Sequence, residues 1–160
     1  MPSHWRWATM RYIVGDVEEI SAKVRTLVHN VEVEDTAVAS VVFKSGAIGV
    51  IEGTTSVRPG YPRRLEIHLE KGSMIIEENT IVSIDTPEGS QKTESKALNS
   101  SSDPFNISFE GHRRQYENII NTILGKDELF YTAEDAARSV ETILAIYSSS
   151  EENNTQYLGV

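Results

Sequence analysis

Five side chains have types suited to ligand chemistry: Thr55, Arg58, Tyr61, Arg63 and His112. Four of them fall in or just past one strand end, in the stretch GVIEGTTSVRPGYPRR, residues 49–64. The stretch opens as an apolar strand and sheds its bulk through glycine, threonine and serine. It ends in a Pro-Gly-Tyr-Pro turn followed by two arginines. One reading is the wall of a pocket, in which hydroxyls bond a polar ligand and guanidinium groups donate in a rigid fork. The other is a plain hairpin, in which Pro59-Gly60 makes the turn and the arginines balance acids such as Glu66 and Glu70. His112 follows Gly111 at a helix start, where its ring either meets a ligand or simply packs. Glu34 and Asp35 are neighbours at a strand entrance, where adjacent side chains diverge. That favours a turn or cap role over acid–base work. His29 and His68 have no partner legible in the sequence.

Several chemistries lack their signatures. There is no strand–GxGxxG–helix, no P-loop, no HExxH and no GxSxG, so nothing here cradles a dinucleotide in the usual way. There is no cysteine, hence no thiolate metal site and no disulfide framework. The sequence thus assigns no catalytic, cofactor-binding or metal-ligating residue. The formal net charge of -9 argues against nucleic acid or an anionic membrane as partner. No apolar run approaches the roughly 20 residues that span a bilayer, and the first residues lack a signal-peptide core. The expected compartment is the cytoplasm.

The elements that must position these residues follow from periodicity. A chain of 160 residues suits a single domain, 1–160. A short helix ends at Gly15. Six strands then follow. Ile20, Ala22 and Val24 alternate with polar residues. TAVASVVFK and AIGVIEGTTSV flank a Lys44-Ser45-Gly46 turn. RRLEIHLE, SMIIEE and TIVSID complete the series. Short links make an antiparallel meander the economical topology. Residues 86–104 are polar and aperiodic and read as a mobile loop. Two helices close the chain, one with Tyr116, Ile119, Ile120, Ile123 and Leu124 as its apolar stripe. The other has Ala133, Ala136, Ala137, Val140, Leu144 and Tyr147, with Thr132 as N-cap and Asp135 at the box position. Both stripes read as core. The expected fold is α+β: an open-faced, largely antiparallel sheet of six or more strands with helices on one face. Val38 and Val42 make the second face of the second strand apolar, so a second copy of the chain is expected to cover it.

The stretches VHNVEVEDTAVASVVFKSGAIGVIEGTTSVRPGYPRRLEIHLEKGSMIIEE and FEGHRRQYENIINTILGKDELFYTAEDAARSVETILAIYSSS resemble the C-terminal domain of the glucose–fructose oxidoreductase / inositol dehydrogenase (Gfo/Idh/MocA) family. The similarity runs from about residue 12 to residue 158. It implies an open-faced sheet whose free face is an oligomer interface. It also implies an NAD(P)-dependent oxidoreductase of sugars or polyols, whose Rossmann half, with cofactor site and catalytic lysine, lies outside this sequence. The family places a catalytic histidine and, three residues later, an acid before the first strand. Here those positions hold Trp5 and Ala8, and His4 is one residue away, about 100° round a helix. Residues 1–10 thus diverge from the pattern, and the isolated chain is expected to be inactive. The implied function is substrate binding, through Thr55, Arg58, Tyr61, Arg63 and His112, together with oligomerisation. A separate Rossmann-domain chain is a possible partner. The alternative is a standalone non-catalytic ligand-binding or interaction module.

Overall fold

The computed structural model describes residues 10–78, 80–93 and 109–159. They divide into two compact units. The first takes in residues up to Ser56 and from Asn118 onward, the second Val57–Glu117.

In the first unit, residues 10–14 are helical and end at Gly15, whose N–H donates to the Arg11 carbonyl. The strands β1 (Val17–Arg25), β2 (Thr36–Phe43) and β3 (Ile48–Thr54) form an antiparallel meander. The β2–β3 turn closes at Gly46, with φ of 83°, as the Lys-Ser-Gly signal predicts. Alternation sends Ala39, Val41 and Phe43 to one face, where they bury with Val17, Ile20 and Ala22 of β1. Val17 and Ile20 share that face despite their odd spacing because a bulge between Val17 and Glu19 takes up the extra residue. Ile20, Val41 and Phe43 are the largest fully buried side chains. Each contributes about 1.5–3 kcal/mol by leaving water.

The second unit holds β4 (Arg64–Leu69), β5 (Gly72–Glu77), β6 (Thr80–Thr86) and β7 (Gly89–Lys92), again a meander. Gly72 is obligatory: at φ of 154° a Cβ would meet the Asp85 carbonyl oxygen at 2.4 Å.

The antiparallel α+β class is as the periodicity indicated, but the strands form two four-stranded sheets and not one continuous sheet. The break falls in the segment after β3. Pro59 and Pro62 have no N–H to offer a ladder there, and residues 55–63 carry no strand pairing. Two strands escaped the sequence reading. β7 lies inside the stretch expected to be a mobile loop; residues 94–104 of that stretch are outside the described residues. The other is β8 (Gln156–Tyr157), which pairs with Glu19 and Ile20 on the edge of β1.

Two helices follow: α1 (Glu110–Ile123) and α2 (Ala133–Glu152). Thr132 and Asp135 form the expected capping box on α2. The expected core stripes are a correction, however. α1 buries none of its residues. On α2 the buried residues are Ser139, Thr142, Ala145, Ile146, Ser149 and Ser150, while Val140 and Leu144 are exposed. The reason lies in the edge of β1. β8 covers only Glu19 and Ile20, which leaves the next edge donors without a strand partner. The Ala22 N–H donates to Ser149 Oγ at 2.9 Å and the Val24 N–H to Ser150 Oγ at 2.9 Å. The Ser149 hydroxyl in turn donates to the Asn154 carbonyl at 2.7 Å. Here the helix satisfies the sheet edge with short hydroxylated side chains, so its polar face turns inward.

α2 also anchors Glu34. The Tyr147 hydroxyl donates to Glu34 Oε1 at 2.6 Å, and this bond pushes the phenol pKa up to about 12. A raised phenol pKa favours the folded state while the proton is held. That contribution is complete below the ordinary value of about 10 and fades as pH climbs through 12. Ultraviolet difference titration of the wild type against Tyr147→Phe should show one tyrosinate forming near pH 12. Onset near pH 10 would contradict the bond.

Candidate functional site

The turn 57–63 is the most ligand-like segment of the second unit. It contains a cis Arg58–Pro59 peptide and leads into β4. Its far end is clamped by Glu78, at the tip of the β5–β6 hairpin. Glu78 Oε1 accepts the Arg63 backbone N–H at 3.0 Å, and Oε2 accepts Arg63 Nε–H at 2.9 Å and a further N–H of the same guanidinium. The Glu78 N–H donates to the Arg63 carbonyl at 2.9 Å. Glu78 is buried, with only 7% of its side chain exposed, and holds φ of 48°, a left-handed conformation unfavourable to a glutamate. Arg64 is engaged elsewhere. It pairs with Glu66 and, at 2.9 Å, with Glu77 across the β4–β5 ladder. The Arg64 guanidinium holds the Glu66 carboxyl below the usual range.

The five residues singled out in the sequence are distributed as follows. Arg58, Tyr61 and Arg63 share the turn; Arg58 and Tyr61 are exposed and Arg63 is half-buried on Glu78. His112 is exposed in the first turn of α1, beside the fork of Arg113 and Arg114 on Glu110. These four belong to the second unit, and Thr55 belongs to the first. Thr55 is exposed, and its backbone N–H donates to the Asp35 carbonyl.

Three polar clusters had no signal strong enough to be read from the sequence. Asp35 is the first. Its side chain is 1% exposed and accepts the backbone N–H groups of Leu27, Val28 and His29 at 2.8–2.9 Å. Those amides, that of His29 foremost, hold its carboxyl well below the usual carboxylate range. The turn or cap role read for the Glu34-Asp35 pair is what the structure shows for Asp35, whereas Glu34 accepts the Tyr147 hydroxyl. Beside Asp35, the hydroxyls of Thr36, Thr54 and Ser56 bond one another at the open end of the β2–β3 ladder. The register pairs Thr36 with Thr54, which no local pattern reveals. Second, His68 and Ser73 face each other across β4–β5, with Nδ1 to Oγ at 2.9 Å and Glu66 3.8 Å from Nε2. The imidazole is 71% exposed, and the Glu66 carboxylate is held by Arg64. This is a solvated sheet face and not an activated nucleophile. Third, a cleft of about 140 Å³ in the first unit is lined by Arg11, Asp16, Lys44, Arg138 and Glu141 among others. Its arginines are paired with carboxylates: Asp16 lies 3.0 Å from Arg11 and 3.3 Å from Arg138, and Arg11 also pairs with Asp135. Among the described residues, no group of three acids or histidines is placed to hold a metal ion. No described helix is long and apolar enough to cross a membrane.

Fold and site together define a class: an antiparallel α+β domain with polar turns. Residues 5–75 match the model of the GFO/IDH/MocA C-terminal domain. A stretch of 84 residues is 39% identical to myo-inositol 2-dehydrogenase of Thermotoga maritima, covering 47% of this chain and 25% of that protein. Two solved structures share the fold. One is the WlbA dehydrogenase from Bordetella pertussis in complex with NADH and UDP-GlcNAcA, at a TM-score of 0.79 and 24% identity. It covers 99% of this chain and 46% of the other. The second is an oxidoreductase from Agrobacterium radiobacter in complex with NAD+, L-tartaric acid and magnesium, at 0.81 and 16%, covering 98% and 48%. Over residues 5–75 the chain resembles the C-terminal domain of the GFO/IDH/MocA family. The family is one of NAD-dependent sugar and polyol oxidoreductases. This chain spans a quarter of the length of the curated relative and just under half of each structural one.

Proposed function

We propose that this chain is the substrate-binding and oligomerisation domain of an NAD(P)-dependent oxidoreductase of sugars or polyols, working in the cytoplasm. The nucleotide and the hydride transfer belong to a Rossmann domain with which it acts. The ligand-facing segment is the turn 57–63 with His112 of the same unit, whose donors suit a polyhydroxylated molecule.

The observation that carries the oligomerisation half is the outer face of the first sheet. The register sets Val42 opposite Ile48, Ser40 opposite Val50 and Val38 opposite Glu52. The helix-side face of the same strands is buried, whereas Ile48 and Val50 are 82% and 76% exposed. Apolar side chains standing together on an open sheet favour burial against a like surface, and a two-fold pairing satisfies both copies at once. Light scattering is therefore expected to find a dimer at tens of micromolar, roughly the regime of a weak specific complex. Val50→Lys would place an unpaired charge in the contact and weaken it about a hundredfold or more, leaving monomer. A monomeric wild type would overturn this half of the proposal.

A further inference from the structure

We infer that the turn 57–63 takes a sugar acid and that Arg58 is the residue that recognises its carboxylate. The inference rests on the reading of that turn as the ligand-facing segment and names the substrate class it serves. Residues 53–65 carry three arginines and no acid, in a chain with 24 acids against 15 lysines and arginines. In the second unit every arginine except Arg58 is matched. Arg63 pairs with Glu78, Arg64 with Glu66 and Glu77, Arg113 with Glu110 and Glu117, and Arg114 with Glu110. Arg58 is exposed and, among the described residues, has no carboxylate partner. Its planar fork matches a carboxylate bidentately. A phosphate fits the fork too, but it brings a second negative charge to a chain whose formal charge is already -9, and one arginine offsets only part of it.

The turn also holds the Arg58 backbone ready. Arg58 precedes Pro59, and a residue before proline is restricted to extended conformations. Pro62 fixes a further φ in the same turn. Glu78 accepts the Arg63 backbone N–H at 3.0 Å, and its own N–H donates to the Arg63 carbonyl at 2.9 Å, which pins the exit of the turn to the β5–β6 tip. Binding therefore orders little beyond the Arg58 side chain. Tyr61, exposed three residues on, brings an apolar ring for the C–H face of a pyranose and a hydroxyl for its oxygens. One turn thus supplies both an anion receptor and a contact for the sugar ring.

The test is an NMR titration of the full chain with glucuronate, glucose and glucose 6-phosphate in turn, on the wild type and on Arg58→Gln. Glucose is the neutral counterpart of glucuronate, lacking only the carboxylate. In the wild type, glucuronate is expected to shift residues of the turn 57–63 and to bind about tenfold more tightly than glucose, the scale of one charge-assisted hydrogen bond. Glucose 6-phosphate should bind more weakly than glucuronate. Arg58→Gln should abolish the preference for glucuronate and leave glucose within about threefold of its wild-type affinity. Wild-type binding of glucuronate no tighter than that of glucose overturns the inference and leaves the ligand-binding reading standing. A preference for glucuronate that survives in Arg58→Gln overturns the role of Arg58. Tighter binding of glucose 6-phosphate than of glucuronate overturns the carboxylate assignment. Should the variant not fold, the wild-type order of the three ligands alone decides. Silence toward all three in the wild type overturns the ligand-binding reading itself, and the inference with it.

Discussion

Replacing Ser149 and Ser150 together by alanine is expected to destabilise the first unit by about 2–5 kcal/mol. That is a large part of the roughly 5–15 kcal/mol that holds a domain folded. The two hydroxyls are the acceptors for the Ala22 and Val24 amides on the β1 edge. Their removal leaves those donors facing alanine methyl groups. The bond to Ala22 is buried and that to Val24 half-buried, so Ser149→Ala should account for most of the loss. Urea denaturation measures the sum. Hydrogen exchange at Ala22 and Val24 assigns it, since only those two amides should lose protection first. An undiminished midpoint with unchanged exchange would mean that water replaces the serines without cost, and the inward polar face of α2 would need another reason.

The second large effect is expected at Asp35→Asn. The aspartate carboxylate accepts from three successive backbone donors, Leu27, Val28 and His29, and from the Thr36 hydroxyl. An asparagine of the same shape has one acceptor oxygen and turns its NH2 group toward at least one N–H, so donors confront donors. The loop 26–35 should lose its protection from exchange, and the melting temperature of the unit should fall on the order of 10 °C. The pH dependence has a definite sign. The carboxyl of Asp35 lies below its unfolded value in the folded state, so its contribution is complete above about pH 4. It declines as pH falls through the depressed folded value. The stability gap between wild type and Asp35→Asn should therefore stay constant from about pH 8 to pH 5 and narrow only under strong acid. A gap that narrows already near pH 6 would contradict a carboxyl held below its ordinary value.

Much of the fold was legible because local rules and tertiary structure agreed. Alternation found β1 to β6, and the Lys44-Ser45-Gly46 turn closed the hairpin it promised. The Thr132–Asp135 box capped α2, and Asn153 ends the helix in a left-handed conformation. Each of these signals is a few residues long and is satisfied within its own element. The candidate site was legible only as residue types. That Arg63 would choose Glu78, fifteen residues on, and Arg64 would choose Glu77 depends on which strands pair and in what register. Acids nearer in sequence, Glu66 and Glu70, were the obvious partners. Glu66 does take Arg64; Arg63 instead follows the turn back toward the β5–β6 tip.

The sequence by itself determined the antiparallel α+β class, the polar ligand-like turn and the family resemblance, because alternation, turn residues and caps are written in short windows. Only the tertiary structure decided that the strands divide into two sheets and that α2 turns its serines inward and leaves Val140 and Leu144 outside. Hydrophobic periodicity assumes that a helix buries its apolar stripe. That assumption fails where the neighbour is the edge of a sheet: its N–H groups demand acceptors, and the helix face that carries the serine hydroxyls turns toward them. Such a demand belongs to β1, more than a hundred residues away in the chain, and no window on α2 contains it.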